Sequence, residues 1–356
     1  MKGKALVAMS GGVDSSVAAY LTKAAGWEVV GVTMKLFSGE GADGVSKCCS
    51  LDDVEDAKSV ARRLSVPHYV FNLTDRFRSE VMDRFVSDYE KGRTPNPCIE
   101  CNRRLKFGEL FRRARELGCD RIVTGHYARV VRDGERCFLK KAVDPAKDQS
   151  YVLYSLPREV IPFVDFPLGG MSKDEVRGIA SELGFVNAEK RDSQDICFIP
   201  NGKYGDFIES YTGRTYPPGD FVDRGGKVLG AHRGIIRYTT GQRRGLGLAL
   251  PEPLYVCGVD VERNRVILGR DGDLYSRAFY VGDLSFTGDG IGEGPVRLKV
   301  KVRYRQPEKD ATLRRAGDAV RVEFDEPVRA ITPGQAAVFY DGDTVVGGGT
   351  ITEREE

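Results

Sequence analysis

The stretch that decides the fold is Ala5–Ser16, ALVAMSGGVDSS. Ala5–Met9 is an apolar run long enough for one buried strand. Ser10–Gly12 is typical of a tight turn. Asp14 is a candidate N-cap for the apolar helical pattern of Ser16–Ala25. The sequence therefore predicts a strand, a tight loop and a helix in immediate succession.

This predicted loop concentrates groups that bind anions. The backbone N–H groups of Gly11 and Gly12, the nearby serine hydroxyls and the positive end of a helix dipole converge there, which favours a phosphate chain as ligand. The loop lacks the Gly-Lys-Ser/Thr of a Walker A motif and the GxGxxG of a dinucleotide fingerprint. An ordinary glycine turn between strand and helix is the alternative interpretation.

The stretch resembles the pyrophosphate loop of the ATP-pyrophosphatase (PP-loop) superfamily, whose members cleave ATP between the α and β phosphates. The resemblance implies an α/β doubly wound domain, ATP with Mg²⁺ and adenylation of an acceptor that it leaves open. The positions implied to contact ATP are Ala8, Met9, Ser10, Gly11, Gly12, Val13, Asp14, Ser15, Met34 and Gly125.

Composition limits the class of protein. The chain has 356 residues, 30% of them charged, and a net charge of +2. We expect two or three domains and a soluble, cytoplasmic protein, because no apolar run approaches the roughly 18 residues that span a bilayer. The start MKGK leads at once into a strand, which leaves no room for a signal peptide. The eight cysteines are expected to be reduced, catalytic or metal-bound, with adjacent Cys48 and Cys49 structural.

Two further strand ends are candidates for the nucleotide site. Trp27–Met34 reads as the second strand, and Met34 at its end is either an adenine contact or a core residue. Arg121–Thr124 reads as a later strand, and Gly125 follows it where a doubly wound sheet brings backbone close to a nucleotide. His126 comes next, and it is either structural or part of the same site.

The segment Gly92–Phe107, GRTPNPCIECNRRLKF, carries a CxxC pair. We expect it to turn into a helix over Leu105–Leu117, which places Cys98 and Cys101 near a helix N-terminus. A helix N-terminus and nearby cations favour thiolates, so Cys101 is a candidate reactive cysteine. Half of a zinc site and a redox pair are the alternatives, although no second CxxC or CxxH completes a zinc site. Cys197 in isolation reads as buried and inert.

The sequence pattern changes near residues 200–210, where short runs typical of β-strands replace the alternation of strands and helices. We expect a nucleotide-binding and catalytic domain over residues 1–205, a small, mostly β central domain over 206–275 and a C-terminal β-barrel over 276–356. The loop Ile236–Gly247, IRYTTGQRRGLG, combines cations with glycines and is a candidate phosphate contact.

Val296–Gln306 alternates strictly between apolar and basic residues. This pattern predicts one long strand with a core face and a ladder of five cations, which suits a nucleic-acid backbone better than a solvated edge. The cations are Arg297, Lys299, Lys301, Arg303 and Arg305.

A set of motifs carries a second, more specific resemblance: SGGVDSS, TPNPCIECNRRLKF, TGHYA, KDQSYVL, DSQDICF, YTTGQRRGLG and RYRQP, in this order. The chain resembles the tRNA-specific 2-thiouridylase family over essentially its full length. The likeness implies an enzyme that adenylates C2 of the wobble uridine in the tRNAs for Lys, Glu and Gln and replaces its oxygen with sulfur. It implies Cys101 as nucleophile and Cys197 as persulfide carrier.

The same likeness implies tRNA contacts and a sulfur source. A sulfur carrier protein or a cysteine desulfurase would load Cys197. The positions implied to contact tRNA are Asn96, Pro97, Cys98, His126, Lys147, Asp148, Gln149, Arg303, Tyr304, Arg305 and Gln335.

One departure opens a second version of sulfur delivery. The family often has Asp where this chain has Cys98. In the persulfide version, Cys101 resolves the intermediate and a Cys101–Cys197 disulfide remains. In the cluster version, Cys98, Cys101 and Cys197 hold a [4Fe–4S] cluster whose open iron binds hydrosulfide.

Two other classes of protein remain open from the sequence. One is a PP-loop synthetase or amidotransferase with a different acceptor, against which the long basic β portion argues. The other is an RNA-binding protein without activity, against which the intact SGGVDSS argues.

Overall fold

The computed structural model describes residues 2–37, 51–190, 196–199, 202–249 and 251–355. Cys48, Cys49 and the first four residues of DSQDICF lie outside these ranges. The α-helices are Val13–Ala24, Leu51–Arg63, Thr74–Phe77, Asp83–Glu90, Pro97–Glu100, Leu110–Glu116, Ser150–Leu153, Lys173–Glu182 and Tyr204–Thr212. The π-helical segments are Arg78–Met82 and Cys101–Glu109, and the 3₁₀ turns are Ile161–Phe163, Ile235–Arg237 and Asp271–Leu274.

A five-stranded, all-parallel sheet organises the first domain. Alternate side chains of its central strand enter different cores, Leu6 on one face and Ala5 and Val7 on the other. Both faces are therefore covered, as parallel sheets require. In spatial order the strands are His68–Asn72, Glu28–Lys35, Lys4–Ala8, Arg121–Val123 and Val164–Asp165.

The order of these strands places a switch point beside the central strand. The chain leaves Lys4–Ala8 for one neighbour, Glu28–Lys35, and later returns to its other side as Arg121–Val123. Ligands of doubly wound sheets bind beyond the carboxyl ends of the strands at such a point. The predicted phosphate loop and Gly125 both follow strands that flank this point.

The helix after the phosphate loop begins earlier than expected. It runs from Val13 to Ala24, and Gly12 is its N-cap residue. Asp14 is therefore in the first turn, and its predicted capping role is wrong. Its carboxylate still lies at the positive end of the helix dipole, where a negative charge is stabilised.

The helix that carries the CxxC pair also begins earlier than expected. It starts at Pro97, with Asn96 as N-cap, and continues through the π-helical segment Cys101–Glu109. Pro97 occupies the first helical position, where its missing N–H costs nothing. Cys98 and Cys101 thus lie within the helix, which we call the cysteine helix (residues 97–116), and not ahead of one that starts at Leu105.

The central domain contains a four-stranded sheet with a small core of its own around Phe221, Val256 and Leu268. The sheet mixes antiparallel pairs with one parallel pair. In spatial order its strands are Tyr255–Asp260, Arg265–Gly269, Gly219–Asp223 and Val228–His232.

Six antiparallel strands close into the C-terminal barrel, because the first of them pairs with the last. Its interior is filled by apolar side chains that include Phe279, Phe324 and Phe339. In spatial order the strands are Tyr275–Phe286, Ala319–Arg329, Lys309–Ala316, Val296–Lys301, Ala336–Asp341 and Thr344–Arg354. The predicted fold class, a doubly wound domain followed by a small β domain and a barrel, is confirmed.

A hairpin from the first domain extends the sheet of the barrel. Its strands, Ala128–Asp133 and Arg136–Lys141, pair with each other, and Lys140 pairs with Thr344 of the barrel. The backbone N–H of Lys141 donates to Asp343 O at 2.8 Å. The first domain and the barrel thus share one continuous sheet.

The expected ladder of cations is wrong in its geometry. The strand ends at Lys301, and Tyr304, which the alternation placed on the core face, is 39% exposed. Arg297 pairs with Asp325 at 2.6 Å and Lys299 with Asp310 at 3.3 Å. The pattern within one strand could not show acids that neighbouring strands supply.

Among the described helices, none combines the length and the apolar character that crossing a bilayer requires. The boundaries placed at residues 205 and 275 stay a prediction.

Candidate active site

The phosphate loop holds its conformation through its own serines. The backbone N–H of Ser10 donates to Ser15 Oγ at 3.1 Å, and Ser15 Oγ donates to Gly12 O at 3.0 Å. Ser16 Oγ donates to the same oxygen at 3.0 Å. The turn is therefore closed by contacts within the loop before a ligand adds any.

The apolar residues of the predicted ATP contacts are mostly turned into the core. Met9 is 1% exposed, Val13 is 2% exposed and Met34 is 8% exposed, whereas Ala8 is half-buried. Met34 belongs to the core cluster of the first domain. Contacts of Met9 and Val13 with a nucleotide would therefore run through their backbone.

Two residues that the sequence analysis missed brace the loop at Gly11. Gly11 has φ of +77°, and a Cβ there would lie 2.3 Å from Asp53 O, so only glycine fits. Asn187 Nδ2 donates to Gly11 O and to Ser16 Oγ, both at 2.9 Å. Lys190 Nζ reaches Gly11 O at 3.4 Å and Asp53 Oδ1 at 2.7 Å. Both precede the DSQDICF motif, and no local pattern marked them.

Asp14 is held by a buried cation. Lys173 Nζ donates to Asp14 Oδ1 at 2.7 Å, and Tyr127 OH donates to the same oxygen at 2.8 Å. Lys173 is 8% exposed, and a buried ammonium is tolerated where it is paired. Lys173 begins a helix whose N-cap, Ser172, forms a capping box with Glu175.

Gly125 packs directly against the phosphate loop. A Cβ at this position would lie 2.7 Å from the backbone N of Ser15. Any larger residue would push the end of its strand away from the loop. The expected closeness of Gly125 to the loop backbone is thus present, whereas its contact with ATP stays a prediction.

His126 connects this strand end to the cysteine helix. Its Nδ1 lies 2.6 Å from Thr124 Oγ1, and its Nε2 lies 3.4 Å from Lys106 Nζ. Burial, together with the charge of Lys106, lowers the pKa of His126 well below its ordinary value. The imidazole is therefore neutral at physiological pH.

Cys98 and Cys101 differ in their surroundings. Asn96 Oδ1 accepts from Cys98 N at 3.2 Å, which caps the cysteine helix. Cys101 is 9% exposed, whereas Cys98 reaches the surface. Protein surrounds the Cys98 thiol densely enough that desolvation raises its pKa, while the charge of Lys106 opposes this shift.

The segment Lys147–Ser150 lies against the strand end that carries His126. Tyr127 N donates to Gln149 Oε1 at 2.9 Å, and Gln149 N donates to Tyr127 O at 2.8 Å. Asp148 Oδ1 accepts from Ser150 N at 3.2 Å, and Lys147 is half-buried. The side chains of Asp148 and Gln149 are thus engaged in holding this segment.

The barrel brings Tyr304 to the same region. Burial raises the pKa of Tyr304, and the neighbouring charges of Asp148 and Cys98 raise it further. Lys301 Nζ lies 5.7 Å from the centroid of the Tyr304 ring. The Tyr304 ring lies 6.0 Å from that of Tyr151, so the barrel residue Tyr304 borders the first domain close enough for the charges of Asp148 and Cys98 to act on it.

Arg303 and Arg305 have different roles in the fold. Arg303 Nη2 donates to Thr240 O at 2.8 Å and to Thr332 Oγ1, and burial lowers its pKa. It therefore joins the central domain to the barrel. Arg305 is exposed.

Gln335 contacts the segment that precedes the cysteine helix. Its Nε2 donates to Thr94 O at 2.8 Å and lies 3.4 Å from Pro95 O. The turn before it approaches the same segment, because Thr94 N donates to Pro333 O at 2.9 Å. Contact of Gln335 with tRNA stays a prediction.

Cys197 is half-buried beside an aromatic anchor. The ring of Phe198 packs against Phe77, Phe85 and Phe207, with centroids at 5.5, 5.4 and 5.1 Å. These contacts fix residues 196–199 against the first domain.

The three candidate cluster ligands do not come together here. None of Cys98, Cys101 and Cys197 forms a disulfide with another described cysteine. Within the described ranges, no three His, Cys, Asp or Glu side chains form a group that could hold a metal ion. In this conformation the three thiols do not fit a [4Fe–4S] cluster.

Comparisons with known proteins identify the family. Family models match residues 3–201 (tRNA methyl transferase HUP domain), 205–270 (tRNA methyl transferase PRC-barrel domain) and 276–351 (aminomethyltransferase beta-barrel domain). A solved complex of a 4-thiouridine synthetase with RNA and bound ATP aligns with a TM-score of 0.38 and 23% identity, over 58% of this chain and 50% of that chain.

Relatives of similar length match over nearly the whole chain. The tRNA-specific 2-thiouridylase MnmA of Moorella thermoacetica is 51% identical, over 97% of this chain and 98% of the relative. The enzyme of the same name from Acetivibrio thermocellus is 48% identical, over 98% of this chain and 99% of the relative. With this identity along all three parts of the fold, the chain belongs to the tRNA-specific 2-thiouridylase family.

Proposed function

We propose that this protein is an ATP-dependent tRNA sulfurtransferase that converts the wobble uridine of the tRNAs for Lys, Glu and Gln to 2-thiouridine in the cytoplasm. One observation carries the proposal. Lys106 of the cysteine helix contacts His126 at 3.4 Å, and Gly125 beside it packs on the phosphate loop. The phosphate loop and the helix that carries the CxxC pair thus meet through this strand end, which supports adenylation followed by sulfur transfer at one site.

ATP binds at the phosphate loop with Mg²⁺. Backbone N–H groups of Gly11 and Gly12, the hydroxyl of Ser10 and the dipole of the helix that starts at Val13 face the pyrophosphate part. Mg²⁺ neutralises charge on the leaving pyrophosphate when it is bound. Asp14 lies in the first turn of the same helix, and Lys173 holds it in place.

In the first step, O2 of the uracil attacks the α-phosphate and pyrophosphate leaves. The carbonyl oxygen becomes part of a phosphate ester, and C2 becomes open to a nucleophile. AMP is then a good leaving group, whereas the oxygen of the free base is not. The step is adenylation, which the preorganised donors of the loop favour by stabilising developing negative charge.

In the second step, sulfur arrives from Cys197. A sulfur carrier protein or a cysteine desulfurase first loads Cys197 as a persulfide. The terminal sulfur attacks C2, AMP leaves and the base stays linked to Cys197 through two sulfurs. The Cys101 thiolate then attacks Cys197 Sγ, which forms the Cys101–Cys197 disulfide and releases 2-thiouridine. A thiol reductant restores both cysteines.

Further residues position the tRNA. We assign contact with it to Asn96, Pro97, Cys98, His126, Lys147, Asp148, Gln149, Tyr304 and Arg305. Arg303 and Gln335, which the family likeness also implies as tRNA contacts, act through their hydrogen bonds within the protein. The charges of Cys98 and Asp148 in the first domain act on Tyr304 of the barrel, which supports a uridine site between these two parts.

The decisive experiment measures pyrophosphate release from ATP with and without tRNA. We expect release that depends on tRNA and is lost in Asp14→Ala and Ser10→Ala, while tRNA binding is retained. Release that needs no tRNA would indicate a synthetase with a different acceptor, and tRNA binding without any release would indicate a binding protein. Full turnover by either variant would remove the loop from the mechanism.

The cluster version has its own test. Among the described residues the three thiols form no group that could hold a metal ion. The persulfide route needs Cys101 and Cys197 to meet only when the intermediate is resolved, so we favour that route. Cys98→Ala should then keep most of the thiolation activity, and Cys101→Ala and Cys197→Ala should abolish it. Iron bound after anaerobic reconstitution, with broad absorption near about 400 nm that Cys98→Ala removes together with activity, would establish the cluster route instead.

A further inference from the structure

Lys106 is a half-buried cation without a carboxylate partner among the residues that the structure describes. Its Nζ has one hydrogen-bond contact, His126 Nε2 at 3.4 Å. Among the described residues, no carboxylate lies within salt-bridge distance of it. A partly buried ammonium without a negative partner is costly, so the position of Lys106 favours binding of an anionic ligand.

The other cations of the same helix show the contrast. Arg103 pairs with Asp283 at 2.9 Å, and Arg104 pairs with Glu100 at 2.5 Å. Arg112 and Arg113 also have carboxylate partners. Four of the five arginines of the cysteine helix therefore have carboxylate partners, one of them from the barrel. The fifth, Arg115, contacts Cys119 O and the ring of Phe163, whereas Lys106 has only the His126 contact among the described residues.

His126 fixes the direction of Lys106. An ammonium only donates, so His126 Nε2 is the acceptor, and Nδ1 carries the proton toward Thr124 Oγ1 at 2.6 Å. The imidazole is neutral because burial lowers its pKa. It can therefore hold Lys106 in place without competing for the anion.

The position of Lys106 selects one phosphate. His126 follows Gly125, which packs on the start of the loop helix, so Lys106 lies on the side of the loop that faces the cysteine helix. The charge of Lys106 also reaches the Cys98 thiol. The loop is proposed to bind the pyrophosphate part of ATP, and the uridine is proposed to bind near the cysteine helix. The α-phosphate is the group that links these two parts, so it is the anion that we assign to Lys106.

We propose that Lys106 is a catalytic residue that binds the α-phosphate of ATP and of the adenylated uridine, with His126 as its positioning residue. The assignment rests on the proposed function. Negative charge grows on the α-phosphate oxygens as uracil O2 attacks, and a fixed ammonium stabilises that charge where water is displaced. The Lys106 ammonium thus acts in the adenylation step, whereas the cysteines carry out the sulfur transfer.

Three variants test this assignment. Lys106→Met keeps the length of the side chain without its charge, and Lys106→Arg keeps the charge. Arg104→Gln is the matched control, because it removes a partnered cation from the same helix. For each variant, the measurements are tRNA-dependent pyrophosphate release, single-turnover thiolation and tRNA affinity at several salt concentrations, with thermal unfolding as the check on folding.

We expect Lys106→Met to lower the rate constant of pyrophosphate release about 100-fold, as loss of one preorganised donor does. Its tRNA dissociation constant and salt slope should match those of the control, and Lys106→Arg should recover part of the rate. Should Lys106→Met unfold, Lys106→Gln replaces it in the same comparison.

Three outcomes would overturn the assignment. A salt slope reduced by about one unit would place Lys106 on a phosphate of the tRNA backbone. Normal pyrophosphate release with lost thiolation would place it with the cysteines, and normal rates in both steps would leave it without a catalytic role. A wild-type protein that releases no pyrophosphate with tRNA would instead overturn the proposed function, on which the assignment rests.

Discussion

Gln335 of the barrel and Thr94 of the first domain are 241 positions apart in the chain and share a hydrogen bond of 2.8 Å. Gly334, with φ of +91°, lets the barrel turn approach so closely that a Cβ there would lie 2.7 Å from Thr94 N. Thr94 is two residues before Asn96, the N-cap of the cysteine helix. The barrel therefore helps to place the cysteines as well as offering a surface for tRNA.

Gln335→Ala should slow catalysis more than it weakens tRNA binding. Without the amide, Thr94 and Pro95 lose a restraint, and the start of the cysteine helix becomes less well placed. We expect the turnover number for thiolation to fall about 10-fold, with the tRNA dissociation constant within about twofold of wild type. Gln306→Ala, which removes a contact to Arg329 O elsewhere in the barrel, is the control. A raised dissociation constant at unchanged turnover would assign Gln335 to the tRNA.

Lys173→Met should destabilise the protein through Asp14. The variant leaves a partly buried carboxylate with Tyr127 as its remaining side-chain partner, and we expect about 2 kcal/mol less free energy of unfolding. The double variant with Asp14→Asn should recover part of the loss, because both charges are then gone. Urea unfolding of the four proteins gives the coupling energy, and additive losses would show that the pair contributes nothing.

The basic residues in and near the barrel strand Val296–Lys301 should differ in how much they contribute to the salt dependence of tRNA binding. Arg297→Ala and Lys299→Ala should leave the salt dependence of tRNA binding unchanged, because Asp325 and Asp310 already neutralise them. Arg305→Ala should lower the salt slope by about one unit, if it contacts a phosphate as proposed.

Arg303→Ala should act on stability. Its contact with Thr240 O joins the barrel to the central domain, and its contact with Thr332 lies within the barrel, so thermal unfolding should shift to lower temperature. A change in salt slope without loss of stability would place Arg303 on the tRNA after all.

The protein should lose stability as the pH falls from 7.5 to 5.5. Burial lowers the pKa of all three histidines, His68, His126 and His232, in the folded state. The unfolded chain takes up protons near pH 6.5, whereas the folded protein resists them, so the unfolded state binds more protons below that pH. Glu109, whose pKa its arginine partners lower to about 2, stays charged throughout. His126→Gln should flatten the dependence measured by urea unfolding.

Phe198→Ala should separate the two half-reactions. Loss of a ring packed among three others costs about 3 kcal/mol of unfolding free energy, and residues 196–199 lose their anchor. We expect thiolation to fall while tRNA-dependent pyrophosphate release is retained. Phe221→Ala, in the core of the central domain, is the control. It should lower the free energy of unfolding by a similar amount and leave the ratio of thiolation to pyrophosphate release unchanged. An equal fall of both activities in Phe198→Ala would contradict the role of the anchor.

Local patterns predicted the strand, the tight loop and the helix at the start of the chain, because the turn at Ser10–Gly12 depends on neighbours in the chain. Patterns within one element could not show what other elements supply. The acids opposite Arg297 and Lys299 come from neighbouring strands, and Lys173, Asn187 and Lys190 reach the phosphate loop from more than 150 positions away. Lys106 lay inside a quoted motif, but its lack of a carboxylate partner among the described residues became visible only with the arginine pairs around it.

The hairpin that joins the first domain to the barrel also has a consequence for synthesis on the ribosome. Lys140 pairs with Thr344, and Arg129 and Lys140 both bind the Asp343 carboxylate. Some 200 residues must therefore follow the hairpin out of the exit tunnel before its outer edge is covered. Until then the nascent chain presents an unpaired strand edge, and Thr94 has no Gln335 to restrain it. A shortened chain that ends within the barrel should therefore be both inactive and prone to aggregate. The cysteine helix reaches its final position only after the barrel has been synthesised.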